Sequence, residues 1–218
     1  RPMTEEIETD NKPRGRGPGR TTREDWIQIA LDTLISEGVD SVKVLMLAQK
    51  LDCARSSFYW YFKNRTDLLD SLLDYWQITN TRALVTSANK VTDTVNEALI
   101  NVFACWNSGG EFDTRLDFAI RDWARRSGTV RRVVDISDSA RIEALVGMFL
   151  RFGYAQSEAE VRARIIYFTQ IGYDALDQRE SSEIRRSRAE DTLFCMTGAH
   201  PTEAEVNKLK AMPLAMSQ

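Results

Sequence analysis

Ala54-Arg55-Ser56-Ser57-Phe58-Tyr59-Trp60-Tyr61-Phe62-Lys63 joins a small polar opening, an unbroken aromatic run and a closing base. Phe58 and Phe62 stand four residues apart, so on a helix they share one face and anchor it to a core. Tyr59, Trp60 and Tyr61 cannot all reach that same small core. They leave an aromatic edge outside, next to Arg55, Ser56 and Ser57, all sound donors to phosphate. The segment reads as a helix that anchors on one side and meets a polyanion on the other.

Working outward, a short apolar helix precedes it, from about Lys43 to Leu51, with Val44, Leu47, Ala48 and Leu51 inward. Asp52-Cys53 turns the chain; Asp tolerates the left-handed conformation that such a turn needs. Before that, Thr21 or Thr22 caps a first helix. Glu24 and Asp25 suit its positive end, Trp26, Ile27, Ala30, Leu31, Leu34 and Ile35 recur at helical spacing, and Gly38 stops it. Two short helices across a tight turn are the helix-turn-helix arrangement. DNA is therefore the expected polyanion, with Lys43 at the front of the second helix and Lys63 and Arg65 behind the third clamping its backbone. Arg55 also suits guanine edges.

Charge is unevenly placed. The chain has 218 residues and a net charge of -3, yet residues 11–65 carry ten Lys/Arg against six Asp/Glu, while residues 66–218 carry 18 against 22. A basic head on an acidic body fits a protein that touches phosphate at one end. Residues 1–20, with Pro13-Arg14-Gly15-Arg16-Gly17-Pro18-Gly19, read as a disordered basic arm, suited to a minor groove or simply solvated.

Asn64 opens a fourth helix with Leu68, Leu69, Leu72, Leu73 and Trp76 as its stripe, running to about Ser87. Further helices are expected at 92–106, 113–126, 129–152, 158–178, 184–197 and 202–212, separated by glycine, proline and polar breaks. No segment sustains two-residue alternation, so the fold is all-α: an N-terminal three-helix helix-turn-helix DNA-binding domain over 21–65, then a larger helical domain over 66–218.

Residues 23–73 resemble the DNA-binding domain of TetR-family transcriptional regulators. The resemblance rests on Arg23-Glu24-Asp25, Glu37-Gly38-Val39-Asp40, Leu47-Ala48-Gln49-Lys50-Leu51 and above all the pattern Phe-Tyr-x-x-Phe-Lys-x-(Lys/Arg)-x-x-Leu-Leu, here Phe58, Tyr59, Phe62, Lys63, Arg65, Leu68 and Leu69. It implies DNA contacts at Arg55, Ser56, Ser57, Tyr59, Tyr61 and Arg65. Lys43 departs from it, standing where the family usually caps the second helix with Thr. The resemblance also implies a homodimer, a palindromic operator in double-stranded DNA, and a body that binds a small-molecule effector and releases the repressor.

Within the body, aromatics on several helices are expected to converge on a cavity. Trp76, Phe103, Trp106, Trp123 and Tyr167, with Phe112, Phe118, Phe149 and Tyr173 as further candidates, would form its walls, and Gln170 and Arg121 are its polar candidates. Asp117, Asp122 and Arg125 make the helix bearing Arg121 resemble an ordinary solvated face. For the dimer, helix 158–178 offers Val161, Ile165, Phe168, Gly172 and Ala175, and helix 184–197 offers Ile184, Leu193, Phe194 and Met196.

Other chemistries find little support. His200 is the one histidine, and Cys53, Cys105 and Cys195 are far apart, which argues against His-based nucleophilic catalysis, zinc motifs and a disulfide framework. No catalytic residue, metal site or cofactor is expected. The absence of a long apolar run or an apolar leader points to a cytoplasmic protein without a membrane span. An all-α enzyme acting on an aromatic or acyl substrate in the same cavity, or a DNA-binding module without an effector, are the alternatives.

Overall fold

The computed structural model describes residues 20–107, 111–176 and 180–213, and among these every regular element is helical. The basic arm through Gly19 lies outside the described residues. Helix α1, Arg23–Glu37, begins at a reciprocal cap: the Asp25 amide donates to Thr22 Oγ1 (3.2 Å) and the Thr22 amide to the Asp25 carboxylate (2.8 Å). Gly38, at φ 88°, ends it in a conformation open to glycine. A 3-10 turn, Val39–Ser41, leads into α2, Val44–Lys50, whose first residue follows Lys43 with no side-chain cap. Asp52 makes the next turn at φ 49°.

The aromatic segment is wound more tightly than expected. Arg55–Trp60 is a 3-10 helix rather than an α-helix over 54–62. Serine hydroxyls compete for backbone carbonyls, and bulky rings lose rotamer freedom in an α-helix. Both effects act here: Ser57 Oγ donates to the Ala54 carbonyl (2.8 Å), and the Tyr61 amide returns three residues to Phe58. Phe58 and Phe62 stack at 5.1 Å, and Trp26 meets Phe58 edge-on at 5.2 Å. All three are buried, each contributing about 1.5–3 kcal/mol of apolar burial.

Asn64 caps α3, Arg65–Trp76, by accepting from the Asp67 amide. The expected single helix to residue 87 is interrupted by a π turn, Gln77–Thr81, before α4, Arg82–Ala88. The π turn places Asn80 in the interior, where it exchanges hydrogen bonds with the Asp113 backbone (2.8 and 3.0 Å). The remaining helices are α5 (Val95–Asn107), α6 (Thr114–Ala124), α7 (Gly128–Arg151), α8 (Gln156–Ala175), α9 (Ser182–Ser187), α10 (Ala189–Thr197) and α11 (Glu203–Lys210). The helix expected over 184–197 is thus two, broken at Arg188.

These helices build two cores. One gathers α1, α2, the 3-10 segment and α3 with Leu116, Ile120 and Trp123 of α6 and Val130 and Val134 of α7. The other joins α4, α5, α8 and α10 to Leu145, Met148 and Phe149 of α7. The first core therefore continues well past residue 65, so the helix-turn-helix is packed against the body through α6. At about 1.5 Å per residue, the 24 residues of α7 form the spine common to both cores. No helix among the described residues is long and apolar enough to cross a membrane.

Candidate functional site

Three places hold chemistry: the face of the aromatic segment, a polar seam between the cores, and a cavity in the second core.

On the first, Lys43, Arg55, Ser56, Tyr59 and Lys63 are exposed. Tyr59 is 53% exposed and Trp60 69%, large values for aromatic rings. The Arg20 guanidinium lies 5.2 Å from the Trp60 ring, so Trp60 belongs to this outer face and not to a seam with α3. Three other expected residues are half-buried with partners of their own. Tyr61 donates to the Thr21 carbonyl (2.8 Å), tying the segment to the start of α1. Arg65 donates to the Val39 and Val42 carbonyls, latching the turn before α2 to the start of α3. Ser57 is spent on its own backbone. Their donors are directed within the fold, which separates them from the five exposed residues.

The seam is ionic, deeply buried at Asp117 and Arg141 and partly exposed at Arg121 and Asp138. Asp117 accepts from Trp76 Nε1 (2.8 Å), Arg141 Nη2 (2.9 Å) and Arg121 Nε (3.1 Å). Arg121 also forks onto both oxygens of Asp138 (2.7 and 3.0 Å). The Tyr167 hydroxyl donates to Asp138 while accepting from Arg121 (3.0 Å) and Arg141 (3.3 Å). Arg141 further reaches Thr81 Oγ1 of the π turn and lies over the rings of Trp76 and Phe112. Burial opposes ionisation of Asp117, but the charges of Arg141 and Arg121 outweigh it and hold the carboxyl below its ordinary value. Burial pushes the Tyr167 phenol well above its usual range, so it remains a donor at neutral pH. The apparently solvated face of α6 is thus half interior: Asp117 and Arg121 point in, while Asp122 and Arg126 pair at the surface.

The cavity lies among α5, α8, α9, α10 and α11, about 800 Å³ including its open mouth. Phe103, Ile166, Met196, Leu209 and Met212 form its apolar wall; Thr169, Gln170, Tyr173, Arg185, Arg186 and Arg188 form its polar side. Of the expected lining, Phe103, Tyr173 and Gln170 are here. Trp76 and Trp123 belong to the first core, Trp106 packs behind Phe103 (6.5 Å), and Tyr167 turns to the seam. The aromatics do not converge on one space because the ionic seam divides them. Sequence reading missed the three arginines, although Arg185-Arg186-Ser187-Arg188 is a visible basic cluster in an acidic half. Among the described residues, no group of three His, Cys, Asp or Glu is placed to hold a metal ion.

The described residues thus form an all-helical protein with a helix-turn-helix head packed on a larger helical body. Residues 27–72 match the family model of bacterial regulatory proteins, tetR family. The chain is 42% identical over 53 residues to the class D tetracycline repressor protein of Escherichia coli and to the class H protein of Photobacterium damsela subsp. piscicida. Each alignment spans only 24% of that repressor's length. The class C tetracycline repressor protein of Escherichia coli is 25% identical over 183 residues, covering 84% of this chain and 78% of that one. In fold, the chain is similar to a transcriptional regulator from Rhodococcus sp. Rha1, with a TM-score of 0.56 and 16% identity over 86% of this chain and 91% of that one. A protein of Mesorhizobium loti assigned to the TetR family gives a TM-score of 0.53 at 14% identity, covering 86% and 94%. The match to the tetR family of bacterial regulatory proteins thus lies in the N-terminal helix-turn-helix head.

Proposed function

We propose that the protein is a homodimeric, DNA-binding transcriptional repressor, released from a palindromic operator by a small molecule bound in the second-core cavity. The observation that carries the reading is the outer face of the aromatic segment. Tyr59 and Trp60 stand in water beside Arg55, Ser56, Lys43 and Lys63, in the stretch that matches the family. Exposed rings and free donors on a basic surface suit phosphate positioning and base-edge contact. In a dimer, two such faces would enter major grooves about 34–36 Å apart.

The seam supports effector control. Ile166 and Gln170 line the cavity, and Tyr167 between them engages Arg121 of α6 and Arg141 of α7. Helix α6 in turn packs on α1. A ligand that favours one position of α8 therefore has a connected, polar route to the head, and its differential affinity for the two arrangements sets the population shift.

The test is a gel shift on DNA upstream of the protein's own gene, with paired variants. Lys63→Ala and Tyr59→Ala should leave stability within about 0.5 kcal/mol. They should weaken the shifted band, with Lys63→Ala lowering the salt slope by about one. Arg65→Ala should instead lower stability by about 2 kcal/mol, because two buried carbonyls lose a charged donor. A sequence-selective, salt-dependent band that Lys63→Ala and Tyr59→Ala leave unchanged would refute this face as the contact surface.

A further inference from the structure

We infer that the cavity takes an amphipathic carboxylate, with its apolar body on Phe103, Ile166, Leu209 and Met212 and its anionic head against Arg185 and Arg186. The inference rests on reading the cavity as the effector site, and it assigns that effector a chemical class.

The argument is one of charge balance around an apolar space. Among the described residues, three arginines and no acidic residue line the cavity, while the carboxylates of Asp174 and Glu180 lie behind that lining, close enough for Arg185 to act on both. Arg188 is already met: it donates to Glu180 (2.7 Å), and the same carboxylate accepts from the Tyr173 hydroxyl. The hydrogen bond from Tyr173, then that from Arg188, holds Glu180 below the ordinary carboxylate range, with a smaller contribution from the more distant charge of Arg185. Arg185 and Arg186 differ. The Arg185 guanidinium lies 5.4 Å from the centre of the Tyr173 ring, and neither residue has an ion pair with a described residue. Arg186 is exposed at the mouth, while Arg185 is half-buried, closer to the apolar wall.

A wholly apolar ligand would leave these two charges facing its body, and a cation would be repelled. A polyanion without an apolar part would gain nothing from the wall. An arginine fork matches the two oxygens of a carboxylate. Thr169 and Thr192 supply further hydroxyls around the head, while the Gln170 amide is engaged with Asp174 (3.2 and 3.3 Å). An apolar ligand with one carboxylate satisfies both halves of the lining.

The test uses the full chain without DNA and three matched probes: decanoate, decanol and decylamine, titrated by calorimetry. Decanoate should bind saturably at one site per chain, decanol at least tenfold more weakly, and decylamine more weakly still. Arg185→Gln/Arg186→Gln should cost decanoate at least tenfold and leave decanol unchanged. Equal binding of decanol and decanoate, tighter binding of decylamine, or no binding of any probe would overturn the inference without requiring a variant to fold. A parallel gel shift keeps the two claims apart. Selective DNA binding without decanoate binding sinks only the ligand class. Decanoate binding without DNA binding sinks the regulatory reading and leaves the cavity chemistry standing.

Discussion

Replacing Arg141 with methionine is expected to lower the unfolding free energy by about 3–5 kcal/mol, although methionine fits the apolar surroundings. Arg141 is 0% exposed and Asp117 4%. Removing the guanidinium strips Asp117 of its closest cation and empties the donor positions against Thr81 and Tyr167. Arg121 and Trp76 remain on Asp117 but do not replace the lost charge. Breaking one side of a buried pair is costly because the other stays charged in a dry place; removing both sides is not. The double variant Asp117→Leu/Arg141→Met should therefore recover much of the loss. Urea unfolding followed by circular dichroism measures both. A single-variant loss below about 1 kcal/mol would show the seam to be more hydrated than its burial implies.

The same pair sets an acid limit. Asp117 has a folded-state pKa below its unfolded value, so its contribution is complete above the ordinary carboxylate value of about 3.9 and disappears as pH falls through the lower, folded one. Asp174 acts oppositely. Burial raises its pKa against a hydrogen bond from Gln170, so its contribution is present at low pH and lost as pH rises through the raised value. Thermal scans from pH 7 down to pH 3 should show the wild type losing stability most steeply at the acid end. Arg141→Met should show a shallower loss there, since less of the Asp117 contribution remains to be titrated.

In the homodimer proposed above, Phe168→Glu is expected to convert the dimer to a monomer and to weaken operator binding by about 100-fold or more, because one half-site then binds without its partner. Val161, Ile165 and Phe168 are 57%, 51% and 57% exposed, spaced four and three apart on one face of α8. Ala163, Ile166 and Tyr167 occupy its buried face. A Cβ on Gly172, in the same stripe, would meet nothing within 4 Å in the single chain, so nothing inside the subunit demands glycine there. Close approach by a second helix would. Of the other expected interface residues, Ile184 and Phe194 are 45% and 38% exposed, Phe194 stacked on His200, while Leu193 turns into the second core. Glutamate at 168 should scarcely affect the isolated chain, whose side chain there is already in water. Sedimentation at micromolar concentration reads the outcome, and an undiminished dimer would place the interface elsewhere.

Much of the head was legible along the chain, for local reasons. The Thr22–Asp25 cap, the stop at Gly38, the left-handed Asp52 and the stacking of Phe58 on Phe62 all depend on residues within four positions of one another. The 3-10 winding of residues 55–60 escaped because i+3 and i+4 patterns differ little over six residues. The π turn escaped because Asn80 has its partner at residue 113, in another helix.

By itself, then, the sequence determined the helical class, most of the helix boundaries in the head and the face of aromatics and bases within the matched motif, since caps, periodicity and a contiguous motif act over a few residues. Only the tertiary structure decided which charges are inside and where the cavity lies. Asp117 and Arg121 look like Asp122 and Arg126 on a helix drawn alone; their burial depends on Arg141, 24 residues from Asp117, and Tyr167, 46 from Arg121. The cavity likewise takes its wall from α5, α8, α10 and α11 and its cations from the α9 region, and those surfaces face one another only after packing has put the ionic seam between two cores.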